Sequence, residues 1–183
     1  MTAGDNRYLA GSRVAAAGQT VAATVMLLLC AFDHHTLGAQ ANDFAFRFRV
    51  GDCLPERLDT FSGTFTKDLG GYPPQLATTR LALTNAQKTD IFRTIEEIRF
   101  FEYPASFVGI AAGAAEIVKT IPSPTYRLEV RNAGVVHTVT WEDAYKPTTA
   151  EADRLRNLFE MIIGFIHAHE DYKRLPPVLV GCE

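Results

Sequence analysis

No run of lysines and arginines occurs anywhere in this chain, and its formal net charge is −3 at pH 7. A protein that neutralises successive phosphates of a nucleic acid needs cations gathered in one place. Nucleic acid is therefore not an expected partner. Long apolar runs are missing too. The longest, Val21 to Phe32, is broken only by Thr24, and it falls short of the roughly 20 residues that a membrane-spanning helix wants. There is no H-E-x-x-H, no glycine loop followed by Lys and Ser or Thr, and no acidic calcium-loop spacing. Zinc-peptidase, P-loop and EF-hand chemistry need those groups at those intervals, so no cofactor and no metal site is expected. Cysteine is scarce, with three in 183 residues, and tryptophan occurs once.

What is present suits a folded domain, with 47% hydrophobic and 21% charged residues. Arg7 and Arg13 precede the Val21–Phe32 run, and Ala39-Gln40-Ala41 follows it. This is the layout of a secretory signal with its cleavage site. Residues 1–41 are thus expected to be a signal peptide and 42–183 a single exported domain, free of the membrane once the signal is removed. The rival reading keeps the segment as an uncleaved N-terminal anchor. Cys30 does not mark a lipoprotein signal, because Leu29 stands where a small residue belongs. The mature chain keeps Cys53 and Cys182. An even number of cysteines in an exported chain favours a disulfide, here one that ties the two ends of the domain together; two separate thiols are the alternative.

Thr125 to Trp141 is the most legible stretch. Tyr126, Leu128 and Val130 alternate with Arg127, Glu129 and Arg131, and Val135, His137, Val139 and Trp141 alternate with Val136, Thr138 and Thr140. Between them Asn132-Ala133-Gly134 can adopt positive φ, so the stretch reads as a hairpin. Upstream, Phe44, Phe46, Phe48 and Val50 alternate with Ala45, Arg47 and Arg49 as a first strand. A second is expected over about Arg57 to Lys67, with Phe61 and Phe65 on one side. A third runs over about Leu76 to Leu83, after a turn at Leu69–Pro74. Thr84-Asn85-Ala86-Gln87 has the form of a capping box and leads a helix carrying Ile91, Phe92, Ile95 and Ile98. That helix should stop near Phe100–Pro104. Pro104 to Pro124 is rich in Ala and Gly, and a short helix is expected over about Ala111 to Lys119, or else a binding loop. A second capping box, Thr148 to Glu151, opens a long helix with Leu155, Leu158, Phe159, Ile162 and Ile166 on its apolar stripe. The order βββαββα predicts an α+β two-layer sandwich, an antiparallel sheet of about five strands with two main helices on one face.

Candidate chemistry is thin. His167, His169, Glu170 and Asp171 cluster at the end of the last helix, where His167 and Asp171 stand at i, i+4, a possible metal pair. Histidines are favoured there by the helix dipole in any case. His137 could act as a base toward Glu142 or Asp143, but no nucleophile is marked near it, and a packed strand histidine is the simpler reading. No catalytic residue is assigned. Tyr72, between Gly71 and Pro73-Pro74, has the form of an aromatic binding anchor on a stiff tip. With Pro73, Phe107 and Ile110 it makes the expected protein-contact set; alternatively these side chains fold back over the sheet.

Several of these segments taken in order form a pattern. Phe100-Phe101-x-Tyr103-Pro104, Tyr126-x-Leu128-x-Val130, Gly134-Val135-Val136-His137-Thr138-Val139, then Asp143 and Pro147 ahead of a Leu-rich helix, resemble emfourin-type proteins over roughly Ser62 to Ile166. Small exported bacterial domains of no assigned function are similar as well. Emfourin-type proteins are small inhibitors of thermolysin-like metallopeptidases. The resemblance implies a non-enzymatic domain acting by protein–protein binding, with an exported metallopeptidase as its partner. The matched positions are core and turn residues, and no inhibitory residue is carried over. An envelope structural protein, or a hydrolase using the histidines and Asp171, are the competing classes.

Overall fold

The computed structural model describes residues 43–179. The signal peptide expected over 1–41 and the cysteine at 182 lie outside them. The chain is α+β, with strands β1 (Ala45–Val50), β2 (Glu56–Asp59), β3 (Thr64–Asp68) and β4 (Leu76–Arg80) first. Helix α1 (Asn85–Glu97) and a 3-10 turn (Phe100–Glu102) follow. Then come β5 (Ser106–Phe107), β6 (Val118–Lys119), β7 (Thr125–Asn132), β8 (Val135–Glu142), β9 (Tyr145–Lys146), α2 (Ala150–Ala168) and α3 (Glu170–Lys173). Seven strands form one sheet in the order β4-β3-β2-β1-β7-β8-β5, and β6 pairs with β9 apart from it. All neighbours in the large sheet are antiparallel except β5 and β8. The sheet is larger than the five strands expected, and mixed.

Period-two alternation does the sorting. Phe46 and Phe48 of β1 stand opposite Val130 and Leu128 of β7, and Phe48 also opposite Leu58 of β2. All five are buried, while Arg47 between them is exposed. Ile91 and Ile95 of α1 and Leu155, Leu158, Phe159, Ile162 and Ile166 of α2 belong to the same buried cluster as those strand residues. The two stripes predicted from helical spacing are thus both core. Trp141 is buried as well, its ring 5.6 Å from Phe107 and 6.3 Å from Phe159.

The β7–β8 hairpin forms as expected, with Asn132 opposite Val135 and positive φ at Ala133 and Gly134. The Thr84 box is also complete, its hydroxyl accepting from the Gln87 N–H and the Gln87 side chain accepting from the Thr84 N–H. Such a cap contributes about 1 kcal/mol. Arg99, left-handed at φ 56°, stands between α1 and the 3-10 turn and caps the N-terminus of that turn.

Four expectations need correction. Arg57–Lys67 is not one strand but β2, a tight turn and β3. Asp59 accepts from the N–H groups of Phe61 and Ser62, and Gly63 takes φ 67°, which reverses the chain. Phe61 consequently leaves the Phe65 side and lies between the guanidinium groups of Arg47 and Arg131, at 4.5 and 4.6 Å. No helix forms over 111–119. Gly109 and Gly113 have φ of 67° and 73°, and the loop spends its backbone groups on 144–149 instead. Thr149 N–H donates to Gly109 at 3.0 Å, Ala111 N–H to Pro147 at 3.1 Å and Thr120 N–H to Ala144. Finally, the cap of α2 is Thr149, one residue on from the Thr148 expected, while the Thr148 hydroxyl bonds Asp153.

Candidate functional site

Residues Asp68 to Gln75 join β3 to β4 at one edge of the sheet, and their sequence dictates a stiff projection. The Asp68 carboxylate accepts from the Gly70 N–H at 2.8 Å. Gly70 and Gly71 both take positive φ, 81° and 92°, which side chains with a Cβ adopt only under strain. The base is closed by Leu69 N–H to Gln75 at 2.8 Å and Gln75 N–H to Gly70 at 3.1 Å. Leu69 is buried, and its carbonyl accepts from Leu179 of the C-terminal tail. On that frame Tyr72 is fully exposed, and Pro73 and Pro74 are exposed beside it. Tyr72–Pro73 is a cis peptide.

Phe107 and Ile110 do not join this tip. β5, which carries Phe107, is the edge strand opposite β4. The Phe107 ring meets Tyr103 at 5.1 Å and Trp141 at 5.6 Å, and Ile110 bridges to Thr148. Both are half-buried. Phe107 packs against the core, whereas Val108, Ile117, Val118 and Ile121 of the same segment are exposed.

The histidines separate. His137 Nε2–H donates to the Tyr103 carbonyl at 2.9 Å, and its ring packs edge-on to Phe100, so it is a packing residue. His169 caps α3 through its Nδ1, which accepts from the Asp171 N–H. Asp171 pairs with Arg174 rather than with His167. Among the described residues no group of three or more His, Cys, Asp or Glu could hold a metal ion.

His167 instead reaches Glu56, a residue the sequence did not mark. Nε2 lies 3.6 Å from Glu56 Oε2 at the mouth of a hollow of about 320 Å³ between β2, β3, α2 and the tail. Glu56 Oε1 accepts from the Tyr172 hydroxyl at 3.0 Å, with Lys67 Nζ at 3.8 Å. Burial, then the Glu56 charge, pushes the Tyr172 phenol up to about 12. At 3.6 Å the imidazole and the carboxylate are too far apart for a hydrogen bond, and among the described residues the one hydroxyl lining the hollow, that of Tyr172, is already donated to Glu56. Val50, Leu54, Ile163 and Val178 line it as well, so it also serves to seat the tail. A second cleft, of about 420 Å³, lies by Tyr103, Arg99 and Arg154, where the Tyr103 hydroxyl donates to the Glu151 carbonyl.

Among the described residues no helix is long and apolar enough to cross a membrane. Comparison of the chain with protein-family models and with curated proteins finds no match.

Proposed function

We propose that this chain works by binding a protein partner, with the Leu69–Gln75 turn as the contact and Tyr72 as its anchor. The observation that carries the reading is an aromatic ring wholly exposed on a turn whose base is already hydrogen-bonded. A large amphipathic side chain on a rigid support loses little freedom on binding, which is what binding anchors need. The domain is read as exported and non-enzymatic, with both long helices layered on the Phe46 and Phe48 side of the sheet. A Cys53–Cys182 bond belongs to the same reading. Val178 shares the hollow with Gly51 and Leu54, which flank Cys53 closely in the chain, and four further residues bring the tail to position 182.

The resemblance to emfourin-type proteins makes a thermolysin-like metallopeptidase the partner to try first. Purified chain should then slow such an enzyme at stoichiometric concentration, and Tyr72→Ala should weaken the effect at least tenfold, about 1.4 kcal/mol. No inhibition across several such enzymes removes the inhibitor version. Inhibition that Tyr72→Ala leaves unchanged removes the turn as the contact.

A further inference from the structure

Arginines that stand alone in the sequence meet across the sheet. Arg49 of β1 is directly opposite Arg57 of β2 on one side and Arg127 of β7 on the other. Like charges facing each other across strands repel, and opposite charges are the stabilising choice there. The carboxylates of this face do not relieve the repulsion. Asp59 and Glu129 are both held by Arg47, at 3.1 and 2.7 Å. Among the described residues no carboxylate pairs with Arg49, Arg57 or Arg127. Arg57 and Arg127 are exposed and Arg49 half-exposed, and the three line one hollow of about 190 Å³ together with Arg47 and the Asp59 and Glu129 carboxylates that it holds. Thr66 and Thr140 extend the same row at either end, opposite Arg57 and Arg127.

We propose that Arg49, Arg57 and Arg127 form a binding site for a phosphate-type oxyanion on the outer face of the sheet. Adjacent strands are about 4.8 Å apart, so the outer two arginines start roughly 10 Å from one another, within reach of a common ligand for side chains of this length. Guanidinium forks match the oxygens of phosphate in pairs, and one such group can accept from several forks at once. A monocarboxylate is satisfied by a single fork and leaves the other two cations without a counter-charge. A phosphate monoester or a diphosphate carries the charge and the number of oxygens that three forks require. A free phosphate ester and a lipid headgroup share this chemistry.

The test is a thermal melt of the purified full chain with pyrophosphate, against sodium chloride at matched ionic strength. Pyrophosphate should raise Tm saturably and the chloride should not, since a ligand that binds only the folded state stabilises it. Arg49→Gln should abolish the rise, while Arg93→Gln, on α1, should keep it. Without ligand, Arg49→Gln should melt at or above the wild type, because it removes two like-charge contacts. Co-sedimentation with phosphatidylglycerol vesicles but not with phosphatidylcholine vesicles, lost in Arg49→Gln, would identify a headgroup as the source; pyrophosphate binding without co-sedimentation would identify a free ester. Pyrophosphate acting no differently from chloride overturns the proposal. So does an unchanged response in Arg49→Gln, or a clear loss of stability in that variant without ligand.

Discussion

Arg156→Ala should be among the most damaging single changes outside the apolar core. The Arg156 guanidinium donates from Nε to Asp143 Oδ2 at 2.6 Å and from Nη2 to Oδ1 at 2.8 Å, tying α2 to the segment after β8. A third bond reaches Asp153, and the group lies 5.3 Å from the Trp141 ring centre. The Asp143 side chain is 8% exposed and that of Arg156 19%. Exposed ion pairs contribute about 0–1 kcal/mol, whereas removing one partner of a buried pair costs about 3–5 kcal/mol because the other charge is left desolvated. Asp143 would keep Lys146 at 3.6 Å, but that lysine is half exposed. The lower end, about 3 kcal/mol, is therefore expected, equivalent to a fall in Tm of roughly 10 °C for a domain of this size. Urea unfolding of Arg156→Ala, Asp143→Ala and the double variant measures it. The cycle should give a coupling of about 2 kcal/mol. A coupling near zero, with Arg156→Ala within about 0.5 kcal/mol of wild type, would show that this pair behaves as a solvated surface contact.

Further outcomes follow from the same contacts. Gly109→Ala should cost about 2–3 kcal/mol, since a Cβ there meets Ala152 Cβ and Phe107 Cε1 at 2.9 Å on a backbone at φ 67°; urea melts give the value, and a change under about 0.5 kcal/mol would mean that the loop does not press on α2. The Tyr172 phenol, raised to about 12, adds stability that is whole below its unfolded value near 10 and is lost as pH climbs through 12. The stability gap between wild type and Tyr172→Phe should accordingly narrow across that window, and a constant gap would contradict the burial of the phenol beside Glu56. Intact mass of the purified chain under non-reducing conditions, with thiol alkylation, should show Cys53 and Cys182 protected until reductant is added; labelling of both without reductant would exclude the bond.

How much of this was legible depended on how local the cause was. The Thr84 box and the Asn132–Gly134 reversal are set by residues a few positions apart, and both formed as read. The helix stripes were readable because 3.6-residue spacing alone defines the buried side. β5 and β6, of two residues each, have no period of their own; they exist because Trp141 and Tyr145 face them. The same holds for the turn inside 57–67, where one Gly63 among Thr and Ser carries the reversal. Tyr72 could be placed on an exposed turn from Gly-Gly-x-Pro-Pro alone, but its separation from Phe107 is a matter of strand order. Glu56 reaches His167 from more than a hundred positions away, and the Arg49 row arises from register; a strand pairing drawn from the alternation of β1 with β7 would have revealed part of it.

Site-specific photo-crosslinking from position 72 tests the central claim most directly. A photoreactive phenylalanine in place of Tyr72, in the chain expressed in its native host, should yield one discrete protein adduct under illumination, and the same group in place of Lys88 on α1 should not. No adduct from position 72, or the same adducts from both positions, would contradict the account.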